Sequence, residues 1–280
     1  MIDLKALKQV AAQYDITPNK LRGQHFLINQ TIVDQIITEA HLNPSDTVLE
    51  VGPGLGVLTN GLSKAAGRVI AVEVDTAIVK YLQAQLFERV EVVHDDILKL
   101  HREKLGLENF GYKVVANVPY NITAPIIRTF LEPKTFKDVE LPRPAELVLM
   151  VQKEVAERLT APAGKLSVIA IAAQFYSDIE YLFTVPSEDF WPQPKVDSAV
   201  IRITIKQSLP NVDQKQLFRL VKIGFAARRK QLQNNLSSGL HISATEAKEL
   251  LEKMNLRADI RAQDLTVEQW IELSKLTVDR

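Results

Sequence analysis

Thr47-Val48-Leu49-Glu50-Val51-Gly52-Pro53-Gly54-Leu55-Gly56 is the stretch that decides the fold. Its first half is a short run of apolar and β-branched residues and reads as a strand. Its second half is a glycine loop that leads into a helical stretch over 55–65. Glycine lets the backbone turn tightly and approach a ligand closely. A strand, a glycine loop and a helix in that order are the elements of a nucleotide cradle. The dinucleotide version needs a third glycine three residues after the second. Val57 stands at that position. The spacing is instead acidic-x-Gly-x-Gly-x-Gly, with Glu50 as the acid. Taken alone, the loop also fits a plain tight turn.

The pattern continues outward from this loop as alternating strand and helix. Strands are expected at 47–51, 68–73, 91–93, 113–117 and 147–151. Helices are expected near 55–65, 76–87, 123–132 and 152–160, preceded by two amphipathic helices near 2–14 and 30–41. Such alternation implies a parallel sheet covered by helices. Residues 179–185 and 199–205 add two strands. The second alternates in hydropathy and suits an antiparallel partner, which gives about seven strands. No strand signal follows residue 207, and 213–238, 243–254 and 265–276 read as helices. The expected organisation is an α/β domain over 1–206 and a small all-helical domain over 207–280.

Ligand-type groups recur at the ends of successive strands. Glu73 ends the second strand, 21 residues after Gly52. An acid there accepts hydrogen bonds from ribose hydroxyls. Asp96 follows the third strand, with Ile97 suited to pack on an adenine ring. Asp95 is the competing acid, and either can simply cap the next helix. Asn117 ends the fourth strand and opens Asn117-Val118-Pro119-Tyr120. That cluster sets an amide, two carbonyls and an aromatic ring at the mouth of a sheet, a set suited to holding an amino group on a flat base. Open α/β sheets bind ligands at the carboxyl ends of their strands.

The acidic-x-Gly-x-Gly-x-Gly loop resembles the first motif of class I methyltransferases, which bind S-adenosylmethionine. The wider set resembles the ribosomal RNA adenine dimethyltransferases. That set comprises Gly23-Gln24-His25-Phe26-Leu27, the glycine loop, Val72-Glu73-Val74-Asp75, Asp96, Asn117–Tyr120 and Gln152–Val155. It also includes Phe190–Val200, Phe225 and Arg228-Arg229-Lys230. The match runs in order from about residue 16 to 240 and is nearest the branch that dimethylates two adjacent adenosines of small-subunit ribosomal RNA. The resemblance implies a Rossmann-like sheet and S-adenosyl-L-methionine as cofactor. His25, Leu27, Gly52, Gly54, Gly56, Glu73, Val74, Asp96, Ile97 and Asn117 would border it. One departure is the segment 160–167, which is shorter than usual and lacks a common Tyr-Gly pair; the run 168–176 after it is longer.

Methyl transfer from a sulfonium is an in-line displacement, in which positioning supplies much of the catalysis. Adenine N6 is a poor nucleophile because its lone pair is delocalised into the ring. Accepting its two hydrogens, by Asn117 and by a carbonyl of Val118 or Pro119, localises that pair. Pro119 stiffens the loop, and Tyr120 stacks on a base freed from its own stack. Phe190, in a Pro-rich loop, is the expected second wall. Leu217, Leu220, Val221, Gly224 and Phe225 share one helical face and belong to a core. Arg219, Lys222, Arg229 and Lys230 fall opposite them and, with Lys195, are expected to meet RNA phosphates. Arg228 falls on the apolar side and is expected to pair at the domain junction.

The net charge is zero, yet residues 195–230 carry nine Lys or Arg against two acids. A local basic surface binds phosphates even on a neutral chain. There is no cysteine, which excludes disulfides, thiolate metal ligands and a cysteine nucleophile. No metal is expected. No run reaches the roughly 20 apolar residues of a membrane span, and the N-terminal stretch lacks an apolar signal region. We expect a cytoplasmic monomer whose partner is small-subunit ribosomal RNA or its precursor particle.

Overall fold

A computed structural model describes residues 4–18, 23–100, 105–133, 135–136 and 139–277. The chain divides into two compact units, Met1–Ala156 with Asp178–Ile205, and Glu157–Ser177 with Lys206–Arg280. The expected single cut at 206 thus gives way to a helical unit that also takes in residues 157–177.

In the first unit the strands are β1 (Phe26–Leu27), β2 (Thr47–Val51), β3 (Arg68–Glu73), β4 (Val90–His94), β5 (Lys113–Asn117) and the short pair β6 (Thr135–Phe136) and β7 (Val139–Glu140). β8 (Glu146–Gln152), β9 (Ser177–Val185), β10 (Phe190–Trp191) and β11 (Ser198–Ile205) follow. Seven of them form one sheet in the order β4-β3-β2-β5-β8-β11-β9. β4, β3, β2, β5 and β8 pair in parallel, and β11 runs antiparallel to β8. The chain builds outward from β2 through β3 to β4, then restarts on the other side at β5. That reversal opens a crevice at the carboxyl ends of β2 and β5.

The helices of this unit are α1 (Leu4–Gln13), α2 (Gln30–Glu39), α3 (Val57–Ala65), α4 (Thr76–Ala84) and α5 (Thr123–Leu131), and α6 (Lys153–Leu159) begins in it. One core is made by α2, α3 and a sheet face, through residues such as Val33, Ile36, Leu62, Val48, Val115, Val148 and Val200, all at most 2% exposed. Burying each such side chain is worth about 1.5–3 kcal/mol. A second cluster joins α1 and α4 to Phe26 and Leu55 beside the glycine loop.

The second unit contains α7 (Val168–Tyr176), α8 (Gln214–Gly224), α9 (Leu232–Leu240), α10 (Ala244–Lys253) and α11 (Val267–Lys275). Phe175 and Tyr176 of α7 pack their rings on Phe218 of α8 at 5.5 and 5.9 Å. This aromatic contact is what draws residues 157–177 into the unit. The helix expected over 213–238 is broken after Gly224. Asn235 Nδ2 donates to the carbonyls of Gly224 and Ala227 at 2.6 and 3.2 Å, so a side chain takes over carbonyls that a continuing helix would have used. Leu217, Leu220, Val221 and Gly224 are buried as expected. Arg219 and Lys222 lie exposed on α8. Arg229 and Lys230 sit exposed in the turn rather than on a helical face, and Arg228 is exposed beside them instead of facing an apolar side. No helix among the described residues is long and apolar enough to cross a membrane.

Candidate active site

The crevice is a cleft of about 280 Å³. Its floor is the glycine loop. Gly52 and Gly54 line it with φ of +68° and +56°, a region that side-chain-bearing residues rarely adopt. A Cβ on Gly54 would meet the Phe26 ring at 2.8 Å. Gly56 does not line the cleft. It caps α3 at φ +74°, and a Cβ there would strike Leu82 and Phe87 at 2.9 and 3.0 Å. Its glycine is required by packing rather than by approach to a ligand.

The strand-end acids converge on this floor. Glu73 is 5% exposed, and its Oε1 accepts the backbone N–H groups of Val74 and Asp75, each at 2.9 Å. Burial pushes its carboxyl above the ordinary carboxylate value, while those N–H groups and that of Gly54 pull it back. Val74 lies exposed at the rim, beside Asp95, whose N–H donates to the Glu73 carbonyl at 3.1 Å; Asp96 and Ile97 also line the cleft. Asp95 and Asp96 both serve the local turn: Asp95 Oδ1 accepts from Asp96 N at 2.7 Å, and Asp96 Oδ1 from Leu98 N at 3.0 Å. Asp96 is the more sheltered and directly precedes the buried Ile97.

Glu50 is the residue to which sequence reasoning assigned no role beyond the motif. It is 1% exposed, lines the cleft, and its Oε2 has no hydrogen-bond partner among the described residues. Burial pushes its carboxyl up to about 8; the Thr59 hydroxyl opposes this and the Glu73 charge adds to it. An acid at the end of an apolar strand was the available signal.

The opposite wall is Asn117–Tyr120, together with His25 and Leu27. Asn117 Nδ2 donates to the His25 carbonyl at 2.9 Å. His25 Nδ1 lies 2.6 Å from the Pro192 carbonyl, which makes it the donor, and its ring lies 5.2 Å from that of Tyr120. Tyr120 Oη and Ser198 Oγ are hydrogen-bonded at 2.7 Å. The Pro119 carbonyl accepts from Ile122 N at 3.1 Å and from the Thr123 hydroxyl at 3.3 Å. It therefore serves the short 3-10 turn Tyr120–Ile122, and of the two carbonyls weighed from sequence it is the one already engaged.

Phe190 is not a wall of the cleft. It pairs with Leu27 across the β1–β10 ribbon and is 3% exposed in the core beside Val33 and Val185. Successive residues of a strand face opposite ways, so Trp191 points the other way, onto Phe26 at 5.9 Å between rings and under Lys8. A proline-rich loop with two adjacent aromatics does not say which ring faces inward. Lys195 is exposed in the same loop.

A family profile described as ribosomal RNA adenine dimethylase matches residues 17–278. The chain belongs to this family. It is 40% identical over 270 residues to a ribosomal RNA small subunit methyltransferase A of Dehalococcoides mccartyi, covering 95% of this chain and 90% of that one. A crystal structure of a dimethyladenosine transferase from Plasmodium falciparum superposes with a TM-score of 0.73 at 25% identity, covering 89% of this chain and 96% of the other. The 23S ribosomal RNA methyltransferase ErmE gives 0.71 at 26% identity, covering 89% and 98%.

As a ribosomal RNA adenine dimethylase, the protein takes its methyl groups from S-adenosylmethionine. The cleft fits that cofactor on its own terms. The orphaned Glu50 oxygen suits a cationic group, Glu73 is held as an acceptor, and Gly52 and Gly54 line the cleft in a positive-φ backbone conformation.

Proposed function

We propose that this ribosomal RNA adenine dimethylase transfers methyl groups to N6 of two adjacent adenosines in small-subunit ribosomal RNA, as a step in ribosome biogenesis. The observation that carries the reading is Asn117 at the junction of the glycine floor and Tyr120, with its amide N–H already bound to His25. Asn117 Oδ1 is thereby left to accept one hydrogen of the target amine. The Val118 carbonyl takes the other, since that of Pro119 is engaged by its own turn. Tyr120 stacks on the base. When bound, S-adenosylmethionine supplies an electrophilic methyl group on a sulfonium.

Glu73 holds the ribose hydroxyls, and Asp96 with Ile97 holds the adenine of the cofactor. Lys195, Arg219, Lys222, Arg229 and Lys230 meet RNA phosphates, so affinity falls steeply with salt. The small-subunit assignment rests on relatives of the same name at 38–40% identity, against 26% for a large-subunit enzyme of almost equal structural likeness. The protein acts in the cytoplasm, on ribosomal RNA or its precursor particle.

The test is transfer of labelled methyl groups to undermethylated small subunits, followed by nucleoside analysis and primer extension. Wild type is expected to yield dimethyladenosine at two neighbouring positions. Asn117→Ala is expected to lose at least about 10²-fold in rate while binding RNA almost normally. Methylation confined to large-subunit RNA would overturn the assignment.

A further inference from the structure

The geometry points to His25 as the positioning residue that fixes which end of the Asn117 amide faces the target amine, and so makes position 117 require an amide rather than a carboxylate. This deepens the reading above and rests on it.

A primary amide has one accepting and one donating end, of nearly the same size and shape. Only the oxygen end withdraws a hydrogen from an adenine amine. The His25 main-chain carbonyl decides between them, because it accepts Asn117 Nδ2–H at 2.9 Å and would repel an oxygen placed there. That carbonyl is itself held in place. The His25 ring donates from Nδ1 to the Pro192 carbonyl at 2.6 Å, and the preceding Gly23 sits at φ +62° against the Tyr120 and Asn121 nitrogens, where a Cβ would lie 3.2 and 3.4 Å away. Phe26 and Leu27 then pair with Trp191 and Phe190. The carbonyl is thus clamped from three sides, and its direction is transmitted to the amide by one hydrogen bond.

The consequence separates asparagine from aspartate. In Asn117→Asp an ionised carboxylate would set an oxygen against the His25 carbonyl and rotate away. Once protonated, the introduced acid can donate to that carbonyl and restore the orientation.

The experiment measures single-turnover methylation by wild type and Asn117→Asp at saturating cofactor and RNA from pH 6 to 9. Melting curves and calorimetric cofactor affinity are recorded alongside. His25, Glu50, Glu73, Asp95, Asp96 and Tyr120 face the cleft in both proteins, so their titration largely cancels in the ratio of rates. The ratio of variant to wild type is expected to fall about tenfold per pH unit above the pKa of the introduced acid. A ratio independent of pH, whether near one or near zero, overturns the proposal.

A second measurement needs no turnover, and its wild-type arm needs no variant. Hydrogen exchange of the wild-type Asn117 side-chain amide is followed by NMR in the cofactor-free protein. One slowed proton that speeds up in His25→Ala is expected, and free exchange in wild type overturns the proposal. Wild type that methylates no adenine in the same preparations would instead count against the assigned function and leave the amide result standing.

Discussion

Glu50→Gln is the sharpest test of the cleft's electrostatics. The Glu50 carboxyl has an ordinary value of 4.5 and is pushed up to about 8 by burial. A folded-state value above the unfolded one means that the native state binds the proton more tightly. The contribution to stability is complete below pH 4.5 and is lost as pH rises through 8. At about 1.4 kcal/mol per pH unit, wild type loses roughly 3 kcal/mol of it between pH 4.5 and 7, and about 1–2 kcal/mol more by pH 9. Relaxation around a charged group lowers these ceilings, so the measured figure is expected at about 1–3 kcal/mol. Glutamine keeps the shape and never ionises. Its own desolvation cost is the same at every pH, and all other titrating groups are shared with wild type. Urea unfolding of the cofactor-free proteins at pH 5, 7 and 9 therefore isolates the Glu50 term in their difference. Glu50→Gln is expected to gain steadily on wild type as pH rises. Parallel stability profiles across that range would refute the reasoning, since they would mean that Glu50 is solvated or already paired when folded.

Four further substitutions at three positions probe other links. Gly224→Ala places a Cβ 2.3 Å from the Trp270 ring and is expected to destabilise the protein by about 1–3 kcal/mol through overpacking, read as a lowered urea midpoint. Tyr120→Phe keeps the stacking ring and removes only the bond to Ser198; its rate is expected to stay within about tenfold of wild type, since one such bond is worth about 1 kcal/mol. Tyr120→Ala, which removes the ring, is expected to lose about 1–3 kcal/mol of base binding in a 2-aminopurine fluorescence titration. Arg202→Ala breaks contacts with Glu39 and Glu180 at 2.7 Å and with Glu146 at 3.6 Å. It leaves the half-buried Glu146 with Lys113 as its main compensating cation, so about 1–3 kcal/mol is expected to be lost at pH 7, with less at pH 4, where Glu146, its carboxyl raised by burial, is protonated.

The sheet was legible because strands buried by helices on both sides read as short apolar runs, and because the glycine loop marks where the first of them ends. The acids at positions 73 and 96 and the amide at 117 were legible for the same reason: a polar side chain closing an apolar strand has few places to be except the ligand end. Legibility failed where two neighbouring residues competed for one role. Phe190 and Trp191 are both aromatic, and only the register of a two-residue ribbon, Leu27 to Phe190 and Phe26 to Trp191, sends the first inward. The stretch 213–238 carries an apolar period crossed only by Arg228, and its interruption depends on Asn235 reaching back eleven residues to the Gly224 carbonyl, a tertiary bond that no period encodes. The boundary at 206 missed residues 157–177 because α7 joins the C-terminal helices through Phe218, a contact between distant segments. The same limit governs the chemistry. Sequence places an asparagine at the mouth of the sheet and names its two functional ends. Choosing between the ends takes a carbonyl 92 residues earlier in the chain, and that choice separates a group that accepts the amine hydrogen from one that would repel it.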